Sequence, residues 1–89
     1  MKKPKDWRLS ADKKSIIAEW SLKDFISAVK LIRKIAVLAE KMDHHPDIHL
    51  TRYRNLKIIL STHSIGGLSK KDYILASKID RLPKKLKIK

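Results

Sequence analysis

Hydrophobic and polar positions change period along the chain, and the changes mark the elements. Ile16, Ala18, Trp20 and Leu22 alternate with Ile17, Glu19 and Ser21, a period of two that predicts a half-buried strand. Trp7-Arg8-Leu9 predicts a short strand before it, and polar Ser10-Ala11-Asp12-Lys13-Lys14 predicts the turn between them. From Lys23 the period lengthens. Phe25, Val29, Ile32, Ile35/Ala36, Ala39 and Met42 recur every three or four residues with lysines and arginines between them. That spacing predicts an amphipathic helix of about 20 residues. Ser21-x-x-Asp24 resembles a capping signal at its start, and Pro46 forces its end, because the residue before a proline avoids the helical region.

The period of two then returns. Ile48–Tyr53 and Leu56–Thr62 predict two strands around a turn at Arg54-Asn55. Leu56, Ile58, Leu60 and Thr62 share one face; Lys57, Ile59, Ser61 and His63 share the other. Both glycines of the chain stand together at Gly66-Gly67, where the backbone needs unusual angles or a close approach. Ser69-x-x-Asp72 predicts the N-cap of a second helix with Leu75, Ala76, Ile79 and Leu82 on its apolar face, closed by Pro83. The order is β-β-α-β-β-α. The fold class is α+β, a four-stranded antiparallel sheet with two helices on one face.

Composition narrows the picture. The 89 residues suit one domain, 1–89, too short for two independent cores. A chain of this length buries only about 60–65% of its unfolded surface, so self-association helps it. With no cysteine, neither disulfides nor thiolate chemistry is available. No apolar run approaches the ~18 residues of a membrane span, and the start lacks the apolar core of a signal peptide, so a cytoplasmic protein is expected. Lys plus Arg is 22 against 9 for Asp plus Glu, a net charge of +13 that attracts polyanions such as nucleic acid or acidic membranes. Much of the excess lies in two basic tails, 1–6 and 84–89, through Lys2, Lys3, Lys5, Lys84, Lys85, Lys87 and Lys89. Such tails need be no more than solubilising.

Candidate chemistry gathers at two element ends. Glu40-Lys41-Met42-Asp43-His44-His45-Pro46-Asp47 closes the first helix, and His49 follows it; the fourth histidine, His63, lies in Ser61-Thr62-His63-Ser64-Ile65-Gly66-Gly67-Leu68. Titratable groups at element ends suit acid–base chemistry. A metal site from His44, His45 and His49 is disfavoured, because neighbouring imidazoles do not readily converge on one ion. His49 reads as a strand or surface residue, and Trp7 and Trp20 as core.

Two stretches carry a resemblance. Ala39-Glu40-Lys41-Met42-Asp43-His44-His45-Pro46 and Leu60-Ser61-Thr62-His63-x-x-Gly66-Gly67-Leu68-Ser69-x-x-Asp72 resemble the pterin-4a-carbinolamine dehydratases, with the match running from about Trp7 to Leu82. The family's sheet of four antiparallel strands backed by helices agrees with the order read above. One departure is local. Six residues, Asp47 to Arg52, stand where the family usually has five before an aromatic, here Tyr53, which would bulge or extend the third strand. The extra N-terminal helix of some members has no counterpart in these residues.

The resemblance implies a lyase that dehydrates 4a-hydroxytetrahydropterin to the quinonoid dihydropterin, with no cofactor and no metal. The leaving hydroxyl needs an acid and the ring nitrogen a base, and imidazole, with an ordinary pKa of about 6.5, suits both. By resemblance the active-site histidines are His44, His45 and His63. His44 and His63 are expected as the acid–base pair and His45 as the group that binds and polarises the pterin. Glu40 is expected to support an imidazole, Pro46 to shape the wall, and Asp72 to fix the Gly66-Gly67 loop or simply cap its helix. Partners implied are the pterin substrate and a homodimer or homotetramer built through sheet edges and helices. The alternative is a non-catalytic binding module: a dimerisation cofactor of a transcription factor of the hepatocyte nuclear factor type, as some relatives are, or a polyanion binder through its lysine tails. On the catalytic reading, activity should survive removal of residues 84–89.

Overall fold

A computed structural model describes residues 3–87; Lys2 and Lys89 of the expected tails lie outside the described residues. The elements are β1 (Trp7–Leu9), β2 (Ile16–Ser21), α1 (Phe25–Met42), β3 (Asp47–Thr51), β4 (Asn55–Leu60), a 3-10 turn (His63–Ile65) and α2 (Lys70–Asp80). They form one antiparallel sheet in the order β1-β2-β4-β3. The alternation read from the sequence sets the faces. Ile16, Ala18 and Trp20 stand opposite Leu60, Ile58 and Leu56, and all six are buried against Ala28, Leu31 and Ile35 of α1 and Leu75, Ala76 and Ile79 of α2. Trp7 and Trp20 join this core edge to face, 6.0 Å apart between ring centroids. No helix among the described residues is long and apolar enough to cross a membrane.

Four expectations are corrected by local physics. The first concerns the start of α1. Ser21 stays in β2, with its hydroxyl on Asn55 Oδ1 at 3.1 Å. Asp24 itself is the N-cap, in extended conformation, accepting the Ser27 N–H at 2.8 Å. Its hydrogen bonds from Ser27 hold its carboxyl below the usual carboxylate range. The second concerns the face of α1. Ala28, Leu31, Ile35 and Ala39 are buried, whereas Phe25 and Val29 stay exposed. The helix is apolar over two overlapping stripes, and the sheet takes the one whose alanines allow close approach.

The third concerns the β3–β4 turn. Pairing runs one-to-one from Asp47 opposite Ile59 to Thr51 opposite Asn55, so there is no bulge. The turn is Arg52-Tyr53-Arg54, two residues earlier than expected, with Arg52 and Tyr53 at φ +48° and +57°. The turn takes three residues, two of them left-handed, and the third strand pairs without a bulge.

The fourth concerns the tails. Pro4–Asp6 turn back into β1, with Trp7 N–H on Pro4 O at 3.2 Å, and Asp6 accepts the Trp20 indole N–H at 3.3 Å. At the other end Lys85 O accepts the Lys23 N–H at 2.7 Å and Lys87 N–H donates to Ser21 O at 2.9 Å, so residues 84–87 lie along the end of β2. Lys84 folds over the C-terminus of α2. Its ammonium donates to Ile79 O at 2.8 Å and to Asp80 O and Leu82 O at 3.1 Å, and lies 5.0 Å from the centre of the Trp20 ring. Burial pushes its pKa down. These bonds satisfy carbonyls that a helix end leaves open. Lys84→Ala should lower stability by about 1 kcal/mol, a value that allows for its remaining solvent contact. Denaturant unfolding checks this, and an unchanged midpoint would mean the ammonium cap contributes nothing. Removal of residues 84–89 is thus not structurally neutral.

Candidate active site

The site begins with how α1 ends. Asp43 takes a left-handed conformation, φ +49° and ψ +45°. The Asp43 N–H bonds Glu40 O at 3.2 Å and the His44 N–H bonds Ala39 O at 3.1 Å, the bond pair of a Schellman motif. Pro46, expected to force the helix end, follows this turn at a distance; the left-handed Asp43 makes it. The chain reverses there and sends His44 inward and His45 outward.

Each of the two acquires a carboxylate. His44 is buried, and its Nε2 lies 2.6 Å from Asp72 Oδ1. His45 is exposed, and its Nε2 bonds the Glu40 carboxylate. Glu40 thus supports His45 and not His44, although it lies one turn before His44 in sequence. Asp72 is fully buried and serves several groups at once. Its Oδ2 accepts the Thr62 hydroxyl at 2.8 Å and the Ser69 N–H at 2.9 Å. Asp72 thus caps α2 through the Ser69 N–H and holds Thr62, where the loop to Gly66-Gly67 begins; its bond to His44 is additional.

The loop after β4 carries His63. Thr62 N–H bonds Gly67 O at 2.7 Å, which pinches the loop shut, and Gly66 takes φ +62° as the C-cap of the 3-10 turn. This is the one glycine whose positive φ the fold requires. His63 stands exposed on the turn.

A cavity of about 400 Å³ lies between the two loops, lined by Asp43, His44, His45, Pro46, Asp47, Ser61, Thr62, His63, Ser64 and Lys71. It unites the three predicted histidines and Pro46. Glu40 and Asp72 stand behind them as hydrogen-bond partners. Lys71 and Asp43 were not singled out from the sequence; Lys71 lies between the two residues of the Ser69-x-x-Asp72 cap, and helical spacing alone gives no sign that it turns toward the loop. A slightly larger hollow of about 460 Å³ lies on the open side of the sheet and holds His49. Its residues Glu19, Lys57 and His49 stand in one row across three strands, and it holds one histidine where the smaller cavity holds three. The smaller cavity is therefore the candidate site.

The fold and this cavity define a class: a small α+β domain with acid–base groups held at one end of an antiparallel sheet. The chain belongs to the pterin 4 alpha carbinolamine dehydratase family, whose profile matches residues 1–82. It is 38% identical over 84 residues to pterin-4-alpha-carbinolamine dehydratase 2, mitochondrial, of Arabidopsis thaliana, covering 92% of this chain and 45% of that protein. It is 40% identical over 77 residues to a putative pterin-4-alpha-carbinolamine dehydratase of Chloroflexus aggregans, covering 86% of this chain and 80% of that one. The chain thus spans under half of the plant relative and most of the bacterial one. Among solved structures it resembles a transcriptional coactivator/pterin dehydratase from Brucella melitensis, with TM-score 0.80, 31% identity and coverage of 84% and 79% of the two chains. It also shares its fold with a pterin dehydratase-like protein described as a RuBisCO assembly factor in the alpha-carboxysome, at TM-score 0.71 and 16% identity, over 85% and 87% of the two chains.

Proposed function

We propose that the chain dehydrates a 4a-hydroxytetrahydropterin to the dihydropterin and water. The observation that carries this is the convergence of His44, His45 and His63 on one cavity. The step is a proton transfer at each end of a breaking bond. His44 takes the proton from the ring nitrogen, the carbon–oxygen bond breaks as a carbon–nitrogen double bond forms, and His63 gives the departing hydroxyl its proton. His45, braced by Glu40, binds and polarises the ring. Each well-placed transfer supplies about 10²–10⁴-fold. The test is the absorbance-monitored dehydration of a synthetic 4a-hydroxytetrahydropterin, with His45→Ala beside the parent. Acceleration by the parent that weakens in the variant supports the reading; a folded parent that gives no acceleration refutes it.

The second reading, a binding module without chemistry, draws support from the +13 charge and from relatives whose names point beyond dehydration. Polyanion binding of that kind would fall steeply with salt. Cytoplasmic placement belongs to the proposal as well and is checked by cell fractionation.

A homo-oligomer is part of the proposal. β3 is an edge strand with neither Lys nor Arg in a chain that has 22, so it lacks a common protection against edge pairing. The exposed Phe25 and Val29 of α1 offer a second apolar surface. Light scattering should give the parent a mass above that of one chain. His49→Lys with Thr51→Lys, which sets like charges across a paired edge, should shift it toward monomer. A monomeric parent would contradict the proposal.

A further inference from the structure

Asp72 is joined to more of the site than a helix cap requires. Its Oδ2 receives the Thr62 hydroxyl at 2.8 Å and the Ser69 N–H at 2.9 Å. Thr62 has a single hydroxyl hydrogen, and it is used in that bond. The 2.6 Å contact between Thr62 Oγ1 and Ser69 Oγ must therefore use the hydrogen of Ser69. With two donors fixed on one oxygen, the carboxylate cannot turn. Oδ1 is left for one neighbour, and that neighbour is His44 Nε2 at 2.6 Å. Asp72 is fully buried and His44 nearly so. A carboxylate offers only lone pairs, so the hydrogen in this contact belongs to Nε2.

The other ring nitrogen follows from the same accounting. Among the described residues no second side-chain bond holds His44, and no buried side-chain nitrogen or oxygen is left without a partner. Nδ1 is thus open to the cavity that His44 lines. We propose that Asp72 is a positioning residue that fixes neutral His44 as the Nε2–H tautomer, leaving the Nδ1 lone pair as the proton acceptor of the site. When Nδ1 takes a proton, the resulting imidazolium faces the Asp72 carboxylate directly. The group that caps the helix through Ser69 also orients the base, with Thr62 and Ser69 completing the chain. The kinetic arm of the proposal rests on the dehydratase reading; its tautomer arm does not.

The experiment is nitrogen-15 resolved imidazole spectroscopy of the parent and of Asp72→Asn, with dehydration kinetics on both and on His63→Ala. Neutral His44 in the parent should carry its hydrogen on Nε2. Asparagine keeps an oxygen for Ser69 and Thr62 but turns an amide N–H₂ toward the ring. Nε2 then accepts, and the hydrogen should move to Nδ1. kcat should fall about 10²–10⁴-fold with KM within about twofold, the pattern of an interaction made only in the transition state. His63→Ala should lose activity without changing the His44 tautomer. A parent with hydrogen on Nδ1 overturns the proposal, and that spectrum decides the matter alone if Asp72→Asn does not fold. An Asp72→Asn variant with the parental tautomer and parental kcat overturns it equally. The expected tautomers together with an inert parent would uphold the role of Asp72 and refute the dehydratase reading instead.

Discussion

On the proposed reading, alanine at His63 should lower kcat for carbinolamine dehydration about 10²–10⁴-fold and leave stability within about 0.5 kcal/mol. The two halves of this expectation have separate causes. His63 is exposed on the 3-10 turn and makes no side-chain hydrogen bond among the described residues, so removing it leaves nothing buried and unpaired. The loop is held instead by the Thr62–Gly67 backbone bonds and by Thr62 on Asp72. Yet the imidazole lines the cavity beside His44 and His45. His44→Ala makes a poorer test of chemistry, because it strips a partner from the buried Asp72 carboxylate and so mixes stability with catalysis. Steady-state kinetics and a thermal melt on the same preparation check the claim. A variant of parental activity would remove His63 from the mechanism.

The largest stability effect is expected at Trp7. It is 3% exposed, packs edge to face on Trp20, and donates its indole N–H to Asp80 Oδ1 at 2.9 Å. It therefore fastens a three-residue edge strand to the end of α2. Trp7→Ala should cost about 3–5 kcal/mol, a large share of the roughly 4–13 kcal/mol expected for a chain of this length. Trp7→Phe keeps the ring contact and loses the hydrogen bond, and should cost less, about 1–2 kcal/mol. Urea unfolding of the two variants separates the terms. Equal losses would mean that the bond to Asp80, and not the packing, dominates.

Much of the fold was legible because period and punctuation agree. The alternation of Ile16, Ala18 and Trp20 and that of Leu56, Ile58 and Leu60 gave two strands that pair residue for residue. Ser69-x-x-Asp72 gave the start of α2, and Leu75, Ala76 and Ile79 its buried face. The histidines were legible by motif, and the cavity unites them. What stayed hidden has identifiable reasons. Period alone cannot choose between two overlapping apolar stripes, so Phe25 and Val29 were expected inside and are exposed. Left-handed Asp43, Arg52 and Tyr53 carry none of the glycine signal that marks such angles, so the device that ends α1 and the position of the β3–β4 turn do not show in the sequence. The bond of His44 to Asp72 spans 28 residues, and no local pattern records it. Lys84 looks like any tail lysine until the turn at Arg81-Leu82 lets its ammonium reach back to the end of α2.

The central claim is that the cavity shared by His44, His45 and His63 is where a pterin binds, and the chain holds its own control. His49 is the remaining histidine and lines the other hollow, on the open side of the sheet. The most direct measurement is a titration of the four assigned imidazole signals by nuclear magnetic resonance, with a stable dihydropterin as probe. The account predicts that His44, His45 and His63 shift together along one saturating curve while His49 stays still. Movement of His49 alone, or saturation with all three cavity histidines silent, would contradict it.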